Sequence, residues 1–251
     1  MQKADFPPFL ENDQNAKVHR AKKTQGKKAD LEMKVIDLTH TIREDMPVYP
    51  GTEPPKLQPA STYEKDGFQE TLYTMFSHTG THMDPPAHLF PGRTTLDQFD
   101  ASHFVGKALV IHCADLPEGA SISMERVARY GKKAEIADFL LFHTGWDQKW
   151  GTSAYFGNYP VIDDDVVSYV LKTGKKGIGF DVIGVDPIAD GNLTRHKRLF
   201  ADHEIVNIEN LTNLELCGDD LFWFFALPMK VLGSDGAPVR AVAFWDDAPA
   251  R

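Results

Sequence analysis

Eleven residues in the first half of the chain limit what this sequence can fold into. The run His78-Thr79-Gly80-Thr81-His82-Met83-Asp84-Pro85-Pro86-Ala87-His88 holds three of the ten histidines in 251 residues, together with a carboxylate. An even spread would place roughly 0.4 histidines in such a window. Gly80 and the two prolines exclude a helix, since proline removes a backbone donor and holds the residue before it extended. The motif is therefore predicted to lie on a turn or at the end of a strand.

The spacing of the polar residues in this motif favours metal binding. His82 and Asp84 are two apart, so in an extended segment their side chains leave the same face. The Thr-Gly-Thr segment between the histidines allows a bend that brings His78 to the same point. Two imidazoles and a carboxylate match ligand sets used by zinc, manganese or iron, and three ligands leave positions open for water. The alternative is a polar surface turn whose histidines cap backbone groups.

Length and composition predict one soluble domain preceded by a distinct N-terminal segment. Between Gln14 and Asp30 the chain is basic and has hardly any apolar residue, so residues 1 to 30 are predicted to be a flexible arm. Residues 31 to 251 are predicted to form one domain. The net charge of −9 and the lack of aromatic residues among the arm's lysines argue against nucleic-acid binding. No apolar run is long enough to span a membrane, and no secretory signal is visible, so we expect a cytoplasmic protein. Cys113 and Cys217 are predicted to be reduced thiols.

Hydrophobic patterns predict more strands than helices, with the two interleaved. Predicted strands cover residues 34–39, 71–76, 108–111, 139–142, 177–181, 205–209 and 222–227. Predicted helices cover residues 123–130 with Ser123 as N-cap, 163–172 with Asp163 as N-cap, and a short segment at 196–200. A hairpin with a turn at Asp235-Gly236 is predicted to join residues 229–232 to residues 239–245. The pattern indicates an α/β domain with a mixed sheet.

Residues outside the motif could add to the site. A strand-end glutamate, Glu209, and His196 could complete a metal site; the alternative is an exposed glutamate and a surface histidine. Asp181 and Asp186 bracket the end of a glycine-rich strand, where a carboxylate can bind a backbone amide or orient a histidine. Aromatic residues could line a flat pocket or lie in the core, and the core is favoured for Phe76; they are Tyr49, Phe76, Trp146 and Trp150.

The histidine motif resembles the His-x-Gly-Thr-His-x-Asp-x-Pro-x-His signature of the cyclase-like metal-dependent hydrolases, which include bacterial kynurenine formamidase and isatin hydrolase. The similarity spans nearly all of residues 34 to 245. It includes Met46-Pro47-Val48-Tyr49-Pro50-Gly51, Thr144-Gly145-Trp146-Asp147, Gly179-Phe180-Asp181 and Ile208-Glu209-Asn210-Leu211. The resemblance implies a swivelling β/α-type domain with a mixed central sheet or partial barrel, and an association of chains into a homodimer or larger oligomer.

The resemblance also implies roles for individual residues. His78, His82 and Asp84 correspond to the family's metal ligands, and His88 to its catalytic acid/base. In formamidase-like members a second metal is held by a later histidine and a glutamate, which here match His196 and Glu209. The gap between these two is longer than in the family, so His203 is an alternative to His196. The implied cofactor is zinc or manganese, as one or two ions.

The implied reaction is hydrolysis of an amide in a small aryl substrate by metal-activated water. The substrate is either a cyclic amide such as isatin or an N-formyl anilide such as N-formylkynurenine. No Gly-x-Ser-x-Gly elbow occurs in the sequence, which agrees with a mechanism that has no serine nucleophile. Two alternatives remain: a lactone or ester hydrolase of the same family, and a catalytically silent member that binds only metal or ligand.

Overall fold

The computed structural model describes residues 34–245, and the arm predicted over residues 1 to 30 lies outside this range. Within it, strands and helices interleave, as the sequence pattern predicts. The strands are β1 (Lys34–Asp37), β2 (Lys56–Ser61), β3 (Glu70–Thr74), β4 (His82–Asp84), β5 (Val105–His112), β6 (Ser121–Ile122), β7 (Phe139–His143), β8 (Val161–Ile162), β9 (Gly177–Phe180), β10 (Val206–Glu209), β11 (Phe222–Pro228) and β12 (Ala237–Trp245). The helices are α1 (Tyr63–Asp66), α2 (Met124–Ala128), α3 (Lys132–Ile136), α4 (Asp164–Lys172) and α5 (Thr194–Phe200).

Seven strands close into a mixed barrel, in the order β12-β11-β5-β7-β9-β10-β4, because β4 also pairs with β12. Strands β5, β7, β9 and β10 are parallel neighbours, and the remaining pairs are antiparallel. Strand β1 extends the sheet beside β12. The predicted α/β class with a mixed sheet is confirmed, and the barrel closes fully. Closure leaves few free strand edges.

Apolar side chains alternate between two cores. In β7, Phe139 and Leu141 point into the barrel, whereas Leu140 and Phe142 pack under the helices, as the two-residue period of a strand requires. The barrel interior is crowded next to β9. A Cβ at Gly177 would lie 2.8 Å from the Phe139 ring, and one at Gly179 would lie 2.7 Å from Leu211. These two glycines therefore allow the strands to approach closely enough to fill the barrel.

Helix α4 covers the outer core, and its predicted boundary is confirmed. The Asp163 side chain accepts a hydrogen bond from the Val166 amide, as an N-cap does, and Val166, Val167 and Val170 are buried. Two acidic residues in the first turn suit the positive end of the helix dipole. Among residues 34–245, no helix combines the length and the hydrophobicity that crossing a bilayer requires.

Three predicted elements differ in the structure. The hairpin pairs β11 with β12, so residues 229–232 belong to its connection rather than to a strand. The helix predicted over residues 123–130 ends at Ala128, and α3 follows it after a turn through Gly131, where φ is +48°. Ser123 precedes α2 without a side-chain capping hydrogen bond. The short β2, β4, β6 and β8 were not predicted, because each is too short or too polar to show a clear period.

Candidate metal centre

The histidine motif leads into β4, a strand of the barrel that pairs with β10. The antiparallel register places His82 opposite Glu209 and Asp84 opposite Asn207. Because Met83 and Ile208 fill the barrel interior, their neighbours must face outward. Gly80 has a φ of +66°, a conformation that a side chain disfavours, and this turn brings His78 back toward β4. The pairing of two short strands thus gathers polar groups from distant parts of the chain.

His78, His82 and Asp84 converge as the sequence predicts. His78 Nδ1 lies 2.7 Å from Asp84 Oδ1, and His82 Nε2 lies 3.3 Å from the same oxygen. His82 Nδ1 lies 2.9 Å from the carbonyl oxygen of Gly80. A carbonyl only accepts, so Nδ1 carries the hydrogen, and in the neutral ring Nε2 presents its lone pair to the carboxylate. Two electron-rich atoms then face each other, an arrangement that a cation would stabilise.

His196, rather than His203, reaches Glu209. His196 Nε2 lies 3.2 Å from Glu209 Oε1 and 3.6 Å from Asp84 Oδ2, and all three residues are buried. Asp186 accepts a hydrogen bond from His196 Nδ1 at 2.8 Å, which leaves Nε2 free to act as a ligand. His203 is exposed and borders a separate cavity. Asp84 thus contacts two groups of candidate ligands, one through each oxygen.

The electrostatics of the protein without a metal ion show how strongly this centre attracts positive charge. Burial alone would lower the pKa of His82, but contacts with Asp84 and Glu209 outweigh burial and raise that pKa to about 9. The pKa of His196 is also raised well above its usual value, because hydrogen bonds with Asp186, Asp84 and Glu209 overcome the effect of burial. Buried carboxylates favour cationic partners, and the donor set fits a divalent metal ion.

Asn207 is a member of this centre that the sequence analysis missed. Its Nδ2 donates to Glu209 Oε1 at 2.7 Å and to Asp84 Oδ2 at 3.1 Å, and lies 3.4 Å from His196 Nε2. Its Oδ1 is buried and has no hydrogen-bond partner among the described residues. Asn207 lies two residues before Glu209 in the same strand, and this same-face spacing could have revealed it.

His88 lies beside the candidate ligands, at the edge of a cavity of about 480 Å³. Its ring centroid is 4.1 Å from that of His78 and 6.1 Å from that of His196. Burial lowers the pKa of His88 below 6.5, even though Asp84 acts in the opposite direction. His88 is therefore largely neutral at pH 7 and able to accept a proton.

Part of the cavity lining is apolar. It includes Pro47, Val48, Tyr49, Ile183 and Leu193. A cavity of this size that combines apolar lining with a few polar groups is typical of small-molecule sites.

Among the four aromatic residues considered from the sequence, Tyr49 alone lines this cavity. The core expectation for Phe76 is wrong, because its side chain is 54% exposed. Trp146 is buried, with its indole N–H bonded to the Tyr155 carbonyl, and Trp150 stacks on His40 at 4.0 Å.

The two remaining acidic residues each bind the type of group that was expected. Asp186 orients His196 and also accepts from the backbone N–H groups of Arg195 and His196. Asp181 accepts from the amides of Thr144 and Gly145 and from the Thr144 hydroxyl. Cys113 and Cys217 are both buried, and neither forms a disulfide bond.

The closed mixed barrel and its outward histidine–carboxylate centre define the class of a metal-binding α/β protein. The Cyclase family model matches residues 36–187, which is more than half of the chain. The chain therefore belongs to the Cyclase family, as its histidine motif predicts.

Similar proteins agree with this assignment. Kynurenine formamidase of Bacillus thuringiensis (strain Al Hakam) is 29% identical over 221 residues, covering 82% of this chain and 95% of that protein. A solved structure of an isatin hydrolase bound to the product analogue thioisatinate superposes with a TM-score of 0.76, at 23% identity, over 86% of this chain and 94% of that one; this likeness establishes the fold. A structure described as a potential metal-dependent hydrolase with cyclase activity has a TM-score of 0.68 and 28% identity, over 86% of this chain and all of that one.

Proposed function

We propose that this protein is a metal-dependent hydrolase that cleaves the amide bond of a small aryl substrate, either a cyclic amide or an N-formyl anilide. The observation that carries the proposal is the convergence of His78, His82, Asp84 and His88 on one wall of a cavity of about 480 Å³. Similarity to kynurenine formamidases and to a potential metal-dependent hydrolase supports the same reaction class.

Zinc or manganese is the proposed cofactor, held by His78, His82 and Asp84, with His196 and Glu209 as candidate ligands for a second ion. When bound, a divalent ion supplies Lewis acidity, which polarises a carbonyl and lowers the pKa of water toward about 7. Gly80 and Asp186 fix the ring nitrogens that face the centre, since each accepts a hydrogen bond from the other nitrogen of His82 or His196. The ligands are thereby oriented before a metal ion binds.

His88 is the proposed general acid/base. It is neutral at pH 7, so it takes a proton from the attacking water and returns it to the departing nitrogen. Pro47, Val48 and Tyr49 line the same cavity and are the proposed contacts for an aryl ring. No covalent intermediate between protein and substrate is required.

Metal analysis combined with a hydrolysis screen tests this function. Purified protein should contain zinc or manganese and should hydrolyse isatin or N-formylkynurenine, and His82→Ala should lose both the pocket metal and the activity. A variant that retains the wild-type metal content would refute the ligand assignment. Hydrolysis of simple lactones alone would instead identify an ester-cleaving enzyme, and no turnover of any of these compounds by the metal-loaded protein would refute the proposed reaction. Cytoplasmic location and association into a homodimer or larger oligomer stay predictions.

A further inference from the structure

A second polar cluster lies at one mouth of the barrel, apart from the cavity. Strands β5, β7 and β9 are parallel neighbours, so their carboxyl ends meet at the same edge. There His143 follows Leu141 by two residues and Asp181 follows Gly179 by two residues. Because strand side chains alternate, both are on the side of their strands that faces the barrel interior. Asp147 follows in the turn after β7. None of His143, Asp147 and Asp181 lines the cavity that holds the histidine motif.

His143 presents an unprotonated nitrogen to this cluster. His112 Nε2 lies 3.3 Å from the Gly218 carbonyl oxygen, so that nitrogen carries a hydrogen, and Nδ1 of neutral His112 is an acceptor. His143 Nδ1 lies 3.1 Å from His112 Nδ1 and must donate to it. The lone pair of His143 therefore resides on Nε2, which is buried and has no partner among residues 34–245. Burial, and secondarily His112, lower the pKa of His143, so the ring is neutral at pH 7.

The two carboxylates of the cluster lack a compensating cation. Asp147 Oδ2 accepts from the Thr212 hydroxyl at 2.8 Å and the Asn213 amide at 3.2 Å, whereas Asp147 Oδ1 is buried without a partner. Asp181 is fully buried, and burial together with the charge of Asp147 raises its pKa to about 7 despite the hydrogen bonds from Thr144.

Two positively charged side chains from elements near the cluster are engaged in other ion pairs. Lys149 pairs with Glu118 and Arg126 pairs with Asp115. Over residues 34–245, no lysine or arginine nitrogen lies within salt-bridge distance of Asp147 or Asp181. Burying the Asp181 carboxylate beside the half-buried Asp147 without a cation is costly, so the cluster favours binding of one.

We propose that His143, Asp147 and Asp181 form a second divalent-metal site, distinct from the centre at the histidine motif. Their candidate ligand atoms all lie within 4.8 Å of one another. One imidazole nitrogen and two carboxylates form a ligand set suited to manganese or zinc. An ion here would have a structural role, since it would tie the turn after β7 to the end of β9 and, through Asp147, to Thr212 and Asn213.

Counting metal ions in full-length variants tests this site independently of the proposed hydrolase function. Protein stripped with a chelator is titrated with MnCl₂, and free Mn²⁺ is measured by electron paramagnetic resonance. Asp147→Asn should bind one ion fewer per chain than wild type, and His82→Ala should still bind an ion that the double variant His82→Ala/Asp147→Asn does not. Asp165→Asn, a change at an exposed carboxylate in α4, is the matched control and should bind as many ions as wild type.

Two results would overturn the proposal. One is equal Mn²⁺ binding by wild type and Asp147→Asn, which would mean that water fills the space between His143 and Asp147. The other is the lack of an anomalous difference peak between these residues in wild-type crystals soaked in MnCl₂. If Asp147→Asn fails to fold, His143→Gln provides the same titration, and the crystal measurement needs no variant.

Discussion

Replacing Asn207 by leucine tests how many ions the centre at the histidine motif holds. The Asn207 amide donates to Glu209 and Asp84 and lies beside His196 Nε2, so it faces the same three atoms that a second ion would need. A second ion must displace these contacts and leave a buried amide without partners. Leucine has the same branching as asparagine, although it is larger, and it has no donor, so it removes this competition.

The size of the effect follows from the two hydrogen bonds. A hydrogen bond to a charged group contributes about 1.5 to 3 kcal/mol, so losing two disfavours the second ion by roughly 3 kcal/mol at the lower limit. Since 1.4 kcal/mol corresponds to a factor of ten, we expect Asn207→Leu to bind the second ion at least about 100-fold more tightly than wild type. Without metal, the variant should be less stable, because Asp84 and Glu209 lose their donor.

Zinc titration against a competing chelator measures this difference. Asn207→Leu should hold one more tightly bound ion per chain than wild type, and Asn192→Leu, in an exposed loop, should match wild type. An unchanged count in Asn207→Leu would show that the amide does not control the second ion. A lower count would show that the Asn207 oxygen serves as a ligand, with the amide turned the other way.

Three further predictions concern His88, Asp186 and the N-terminal arm. His88→Ala should keep the metal but reduce kcat/KM by roughly 10²–10⁴-fold. It should also lose the acidic limb of the pH profile, because in wild type the activity falls as His88 is protonated below pH 6.5. Wild-type turnover with an unchanged acidic limb would remove His88 from the mechanism. Asp186→Asn should weaken metal binding at His196 by about 10–100-fold in a chelator competition, and unaltered affinity would contradict its orienting role. Deleting residues 1 to 30 should leave the Tm and metal content nearly unchanged, and a large drop in Tm would show that the arm packs against the protein or a partner.

The sequence was sufficient to predict His78, His82 and Asp84 as a group because all the necessary information is local. Gly80 and the proline pair restrict the backbone of eleven residues, and the two-residue period of an extended segment orients His82 and Asp84. Buried strands such as β7 and β9 were also predictable, since continuous apolar runs identify them. The same reasoning located α4, whose N-cap, acidic first turn and apolar face all agree.

Features that depend on strand pairing were not predictable from the sequence. The choice between His196 and His203 follows from the way α5 packs and from the hydrogen bond to Asp186, neither of which spacing determines. The two-residue spacing of Asn207 and Glu209 indicates that they share a face of β10, but the contact of Asn207 with Asp84 depends on the register of two antiparallel strands. The closure of the barrel likewise rests on the pairing of β12 with β4, a contact between segments more than 150 residues apart.

The alternation of side chains across the barrel wall separates the two proposed metal sites. The side chains of His82 and Asp84 leave the outer face of β4. Those of His143 and Asp181 are in register with the residues of β7 and β9 that face the barrel interior. One ligand set therefore cannot substitute for the other without a change of strand register, which would turn every apolar residue of that strand to the wrong side. Loss of the ion at the barrel mouth should consequently lower stability while leaving the ligands at the histidine motif in place. A variant at Asp147 that emptied both sites at once, while remaining folded, would show that the two are coupled through Thr212 and the adjoining Glu209 strand instead.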